Sequence, residues 1–164
     1  MAKAAIYPGS FDPITYGHLD LIKRAVQIFD KVIVAVANDT IKKTLFTTNE
    51  RIEMIKEATK DVNGLVIEKF DGLIVEYARA KKTNVLIRGL RMISDFEYEL
   101  QMALTNRRLD SQIETVFLMP LEGYSFLSST LIKEAASLNA DLSSFVPEFI
   151  AKKGQIRMSV LSLP

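Results

Sequence analysis

The 164-residue sequence contains no cysteine and only one histidine, His18. These absences exclude disulfides, thiolate nucleophiles, thiolate zinc sites and multi-histidine metal centres. Neither sign of charge is in excess, since 21 basic and 20 acidic side chains leave a net charge of +1. With no basic stripe interleaved with aromatics, nucleic acid is not an expected partner. Long apolar runs are missing too: Val32 to Ala37 is strand-sized and falls short of the ~20 residues that span a bilayer. The N-terminal apolar stretch, broken by Pro8 and Gly9, is too brief for a signal-peptide core. A cytoplasmic protein with no membrane association is expected, working with one imidazole, hydroxyls, carboxylates, Lys, Arg and backbone amides.

An apolar fraction of 48% in 164 residues suits one core, so a single domain over 1–164 is expected, with the tail from about 155 to 164 unassigned by any clear period. Short β-branched runs at Ala4 to Tyr7, Val32 to Ala37, Val66 to Phe70, Val85 to Ile87 and Thr115 to Leu118 alternate with helical stripes. One stripe is Leu21, Ile22, Ala25, Val26 and Phe29, and another is Ile52, Ile55 and Ala58 behind a Thr47/Glu50 capping box. A further helix is predicted to start at a second box, Ser94/Glu97, with Phe96, Leu100, Ala103 and Leu104 turned inward. Leu131, Ile132, Ala135 and Ala136 mark another helix, and Val146, Phe149 and Ile150 the last. The alternation predicts an α/β fold, a doubly wound parallel sheet with helices on both faces. Ligands in such sheets bind beyond the carboxyl ends of the strands.

The residues that follow the strands are therefore the informative ones. After the first comes Tyr7-Pro8-Gly9-Ser10-Phe11-Asp12-Pro13-Ile14-Thr15-Tyr16-Gly17-His18, a rigid loop that ends at a helix N-terminus, where free amides favour an anion. Asn38, Asp39, Lys42 and Lys43 follow the second strand, and Ile87-Arg88-Gly89-Leu90-Arg91 the fourth, with guanidiniums suited to phosphate oxygens. Tyr98 and Glu99 come about one turn into the next helix. After the fifth strand come Tyr124, Ser125, Phe126, Leu127, Ser128, Ser129 and Thr130, in which the six positions from Ser125 place four hydroxyls before a helix.

Taken together, the motifs Tyr7 to His18, Ile87 to Arg91 and Ser125 to Thr130 resemble the (H/T)xGH nucleotidyltransferases, and within them the bacterial phosphopantetheine adenylyltransferase family, from about Ala4 through Val146. The resemblance implies a Rossmann-like sheet of five parallel strands, and transfer of AMP from ATP to 4'-phosphopantetheine, giving 3'-dephospho-coenzyme A and pyrophosphate. It also implies Mg2+ arriving with ATP and no protein metal centre, a homohexamer, and coenzyme A as a candidate feedback ligand. Carried onto this sequence, it implies catalytic roles for His18, Lys42, Arg91 and Ser10. ATP would be held by Ser10, Phe11, Gly17, His18, Gly89, Leu90, Arg91, Glu99 and the run from Tyr124 to Thr130. The second substrate would be held by Ser10, Lys42, Ile74 and Arg88. Gly72 and Ile74 stand where some relatives carry Asp and Met.

The residue inventory suits this chemistry. A phosphate monoester is already ionised at neutral pH, so the barrier lies in bringing two anions together and moving charge onto pyrophosphate, and fixed donors lower it. His18 is expected to act as a neutral hydrogen-bond donor, because a helix N-terminus disfavours imidazolium. Two alternatives remain open: a related transferase acting on nicotinamide mononucleotide, and a non-catalytic adenine-nucleotide sensor. An enzyme using CTP is disfavoured, because Glu122-Gly123-Tyr124-Ser125 stands where those enzymes carry Arg-Thr-Glu-Gly.

Overall fold

The computed structural model describes residues 3–38 and 44–161, with side chains to Gly154. All five expected runs are strands, each one or two residues longer than the apolar core that predicted it: β1 (Ala4–Gly9), β2 (Lys31–Ala37), β3 (Leu65–Phe70), β4 (Val85–Gly89) and β5 (Glu114–Leu118). They form one parallel sheet in the order β3-β2-β1-β4-β5. Residue Ile6 of β1 is flanked by Ile33 on one side and Leu86 on the other.

The helices are α1 (Tyr16–Ile28), α2 (Thr48–Ala58), α3 (Ile74–Ala80), α4 (Ile93–Leu109), α5 (Ser129–Ser137) and α6 (Glu148–Leu161), with a 3-10 turn over Glu122–Tyr124. Side chains alternate across the strands and so build two cores. Val32, Val34 and Val36 pack with Leu21 and Ile22 of α1, Met54 and Ile55 of α2, Ile132 of α5 and Ile150 of α6. Ile6, Ile33, Ala35 and Leu86 face the other way, against Val75 and Ala78 of α3 and Ile113. Helices therefore cover both faces, and the continuous apolar character of β1 and β2 reflects burial on both sides.

The predicted Thr47/Glu50 capping box is present at α2. The Ser94/Glu97 box is not: α4 begins one residue earlier, after Met92, with no side-chain cap, so Ser94 already lies inside the first turn. The inward stripe on α4 is also corrected. Phe96, Leu100 and Leu104 are 45%, 39% and 54% exposed, and the buried residues of this helix are the polar Glu99 and Asn106. Helical spacing had identified a real apolar ridge, but spacing carries no information about which side the sheet lies on. Helix α3, only seven residues long, is too short to show a period. The tail differs as well, since α6 continues as regular helix to Leu161. Leu131 on α5 is exposed, while Ile132 and Ala136 hold that helix to the core.

Candidate active site

From β1 the chain steps outward through β2 to β3, then crosses back to β4 on the other side of β1, so the winding reverses between the carboxyl ends of β1 and β4. At such a switch the outgoing loops diverge and leave a crevice. A cleft of about 950 Å3 opens there, and Ser10, Phe11, Gly17 and His18 line it from the first loop and α1. Arg88, Gly89 and Arg91 line it from β4 and the loop beyond, Glu99 from α4, and Ile74 from α3. Leu127, Ser128, Ser129 and Thr130 complete it at the start of α5.

The first loop is folded tightly around one aromatic ring. Phe11 adopts a left-handed backbone, φ 50°, and is 3% exposed. Its ring meets Tyr7 edge-on at 5.3 Å and His18 at 5.1 Å. Left-handed backbone costs a residue with a Cβ roughly 1–2 kcal/mol, which the buried ring contacts offset.

Thr15 is the N-cap of α1 and fixes the histidine. Its hydroxyl accepts from the His18 N–H at 3.3 Å, and its own backbone N–H donates to His18 Nδ1 at 3.1 Å. The hydroxyl also lies 3.1 Å from that nitrogen. A backbone N–H can only donate, so Nδ1 is the acceptor and the proton of the neutral ring sits on Nε2. Burial, then the Arg91 and Arg88 guanidiniums, push the imidazole down from 6.5 to about 4. The neutral state expected from the helix terminus is thus reinforced by desolvation and by two cations.

Both arginines have carboxylate partners. Arg88 donates to Glu99 through Nε and Nη2, each at 2.7 Å, and through Nη1 to the Pro8 carbonyl at 3.0 Å. Arg91 donates to Asp95 from Nε at 3.0 Å and Nη2 at 3.1 Å, and to the Leu127 carbonyl at 2.6 Å. Lys133 reaches Asp12 at 3.1 Å, and Asp12 also accepts from the Leu45 and Phe46 amides. Arg88 and Arg91 thus enter the cleft already paired with carboxylates. Among the described residues, the cations Arg88, Arg91 and Lys133 face the carboxylates Asp12, Asp95 and Glu99, and the lining is balanced. Lys42, with Asp39 and Lys43, lies outside the described residues.

Several residues expected at the site fall outside its lining. The Leu90 amide continues the sheet by donating to the Leu118 carbonyl, Tyr124 stacks on Tyr16, and Phe126 packs edge-on against Phe145. The hydroxyl of Ser125 bonds back to the Glu122 carbonyl. None of these four lines the cleft. Ser128 is the N-cap of α5, and Ser129 donates to the Pro13 carbonyl across the cleft floor, tying the first and last motifs together. Gly89 has a packing role: a Cβ there would fall 2.6 Å from Leu21 Cδ1 of α1.

The sequence reading passed over Asp95 and Lys133 as site residues. Asp95 had a legible signal, since it stands four residues after Arg91 at the start of a helix. Lys133 and Asp12 are 121 positions apart, and no local pattern links them.

Comparison with known proteins agrees with this geometry. Residues 6–135 match the cytidylyltransferase-like family. The chain is 53% identical over 151 residues to the phosphopantetheine adenylyltransferase of Caldanaerobacter subterraneus subsp. tengcongensis, covering 92% of this chain and 94% of that protein. It is 55% identical to that of Thermodesulfovibrio yellowstonii, covering 93% and 95%, and 51% identical to that of Syntrophus aciditrophicus, covering 99% and 98%. Among solved structures, Plasmodium falciparum nicotinic acid mononucleotide adenylyltransferase complexed with NaAD superposes with a TM-score of 0.71 over 99% of this chain and 97% of that one. At 14% identity that likeness speaks for the fold alone. The match along nearly the whole chain, with the signature histidine at the switch of the sheet, places this chain in the phosphopantetheine adenylyltransferase family of the cytidylyltransferase-like nucleotidyltransferases.

Proposed function

We propose that the chain transfers AMP from ATP to 4'-phosphopantetheine, forming 3'-dephospho-coenzyme A and pyrophosphate by direct in-line displacement. The observation that carries the mechanism is the fixed neutral His18, with its Nε2 proton available beside two guanidiniums. The acceptor phosphate attacks the α-phosphorus while the bond to pyrophosphate breaks, and no protein nucleophile or general base is required. His18 donates to an α-phosphate oxygen as charge builds there. Arg91 serves the ATP phosphates, and Ser10, Lys42 and Arg88 serve the acceptor phosphate. Because Arg88 and Arg91 enter with carboxylate partners, substrate phosphates share or displace those partners, so the cleft trades internal ion pairs for ligand ones.

Every described carboxylate of the cleft is engaged by a cation, and no group of three acidic or imidazole side chains suitable for a metal occurs among the described residues. Mg2+ is proposed to enter with ATP, as part of the MgATP substrate. A homohexamer is the proposed assembly, supported by the apolar ridge on α4, and coenzyme A is a proposed feedback ligand. A cytoplasmic location fits the substrates, and no helix among the described residues is long and apolar enough to cross a membrane.

Mixing the protein with MgATP and 4'-phosphopantetheine is expected to release pyrophosphate and yield dephospho-coenzyme A, and nicotinamide mononucleotide is expected to yield nothing. The reverse preference would overturn the reading, as would ATP binding without release. His18→Ala is expected to lower kcat by roughly two to four decades with little change in ATP affinity, as for loss of one transition-state donor.

A further inference from the structure

The cleft has two halves with different supports. On the β4 side, α4 holds Arg88 and Arg91 through Glu99 and Asp95. On the β3-β2-β1 side the support comes from behind the cleft, from a side chain that neither lines it nor belongs to its motifs. Arg51 of α2 is 1% exposed, yet its guanidinium reaches three stretches of chain. Nη1 donates to the carbonyl of Ser10 in the first loop and to that of Ala37, the last residue of β2, at 3.1 Å. Nε donates to the Phe46 carbonyl at 3.1 Å and Nη2 to Thr48 Oγ1 at 3.0 Å. Thr48 passes the connection on, donating to Asn38 Oδ1 at 2.7 Å, and Asn38 donates to Asp71 just beyond β3, also at 2.7 Å. One guanidinium thus ties together the carboxyl ends of β1 and β2 and, through two further side chains, β3.

Burying a guanidinium is expensive, and an apolar side chain of similar volume would fill the space at lower cost. What Arg51 supplies and an apolar residue does not is a rigid five-donor fork that sets several carbonyls at fixed separations. Ser10 is assigned above to both substrates, and Ile74, assigned to 4'-phosphopantetheine, follows Asp71 closely.

We infer that Arg51 is a positioning residue for the Ser10 loop and the β2 and β3 ends of the cleft, setting turnover with 4'-phosphopantetheine, while α4 holds Arg88 and Arg91. This rests on the proposed reaction.

Arg51→Lys keeps the charge but loses the fork. It is expected to lower kcat/KM for 4'-phosphopantetheine roughly ten- to a hundredfold, the scale of a small misplacement of reacting groups. Two core substitutions on the same helix, Ile55→Val and Met54→Ala, bracket its loss of thermal stability and are expected to keep acceptor kinetics. If Arg51→Lys does not fold, Thr48→Val frees one arm of the fork and is expected to lower kcat/KM for 4'-phosphopantetheine in the same direction. Acceptor kinetics unchanged in the variant, or equally impaired in the two core controls, would overturn the assignment. A wild-type protein unable to adenylylate 4'-phosphopantetheine would instead overturn the reaction itself, so the two failures are distinguishable.

Discussion

His18 is the only imidazole in the chain, so its titration can be followed by NMR without assignment. The folded protein holds it neutral down to about 4, whereas the unfolded chain takes up a proton near 6.5. Between those values the unfolded state binds more protons, so this residue's contribution is intact above about pH 6.5 and is lost as the pH falls toward 4. The ring signals are expected to stay constant from neutral pH to below 5, with nitrogen shifts of an Nε2–H tautomer. Titration near 6.5, or an Nδ1–H ring, would contradict the Thr15 contact. Gly89 gives a second test. Gly89→Ala drives a methyl into Leu21, which overpacking puts at a cost of about 1–3 kcal/mol. Adding Leu21→Val should restore much of the lost melting temperature, because it removes the clashing Cδ1. Both positions were legible in the sequence, as a histidine at a helix start and a glycine at a strand end. Their physics was only partly so. The histidine's neutrality owes most to burial, and the glycine answers to a helix 68 positions earlier, neither of which a local pattern contains.

Among the elements, α4 shows where periodicity helps and where it misleads. Asp95 and Glu99 stand four residues apart, on one side of the helix, and meet Arg91 of the loop after β4 and Arg88 of β4. That side faces the cleft, which is why the helix buries Glu99 and Asn106 while its leucines remain outside. The strand positions and the α2 cap were readable because burial on both sides and a three-residue box are local properties. The orientation of α4 was not, because it depends on arginines that arrive from another segment. Glu99→Gln leaves Arg88 with one carbonyl in place of a bidentate carboxylate. Denaturant unfolding should show a loss of about 1–3 kcal/mol, the range for breaking a buried charge-assisted contact. Turnover should fall by roughly tenfold as Arg88 loses its fixed orientation. Wild-type turnover in a folded Glu99→Gln protein would show that the ion pair does not orient the arginine.

On the scale of the whole molecule, the outer side of α4 calls for a partner. Ile93, Phe96, Leu100 and Leu104, spaced by three and four residues, form a continuous ridge, with Ile93 93% exposed. Met92, Met119 and Leu121 are apolar and more than half exposed as well. A ridge of this kind on a chain of near-zero net charge favours self-association, since each Å2 of apolar surface removed from water contributes about 25 cal/mol. Pairing Leu100→Glu with Leu104→Glu sets two charges in the middle of the ridge, away from the cleft-facing residues. Sedimentation should then show the proposed hexamer giving way to smaller species, with each chain retaining its fold. Because the same helix carries Asp95 and Glu99 on its opposite side, the dissociated protein should also bind ATP more weakly, as α4 loses the packing that holds it against the arginines. A double variant that sediments as a hexamer would place the subunit contact elsewhere, and one that dissociates with unchanged ATP affinity would show that α4 holds its arginines without help from a neighbour.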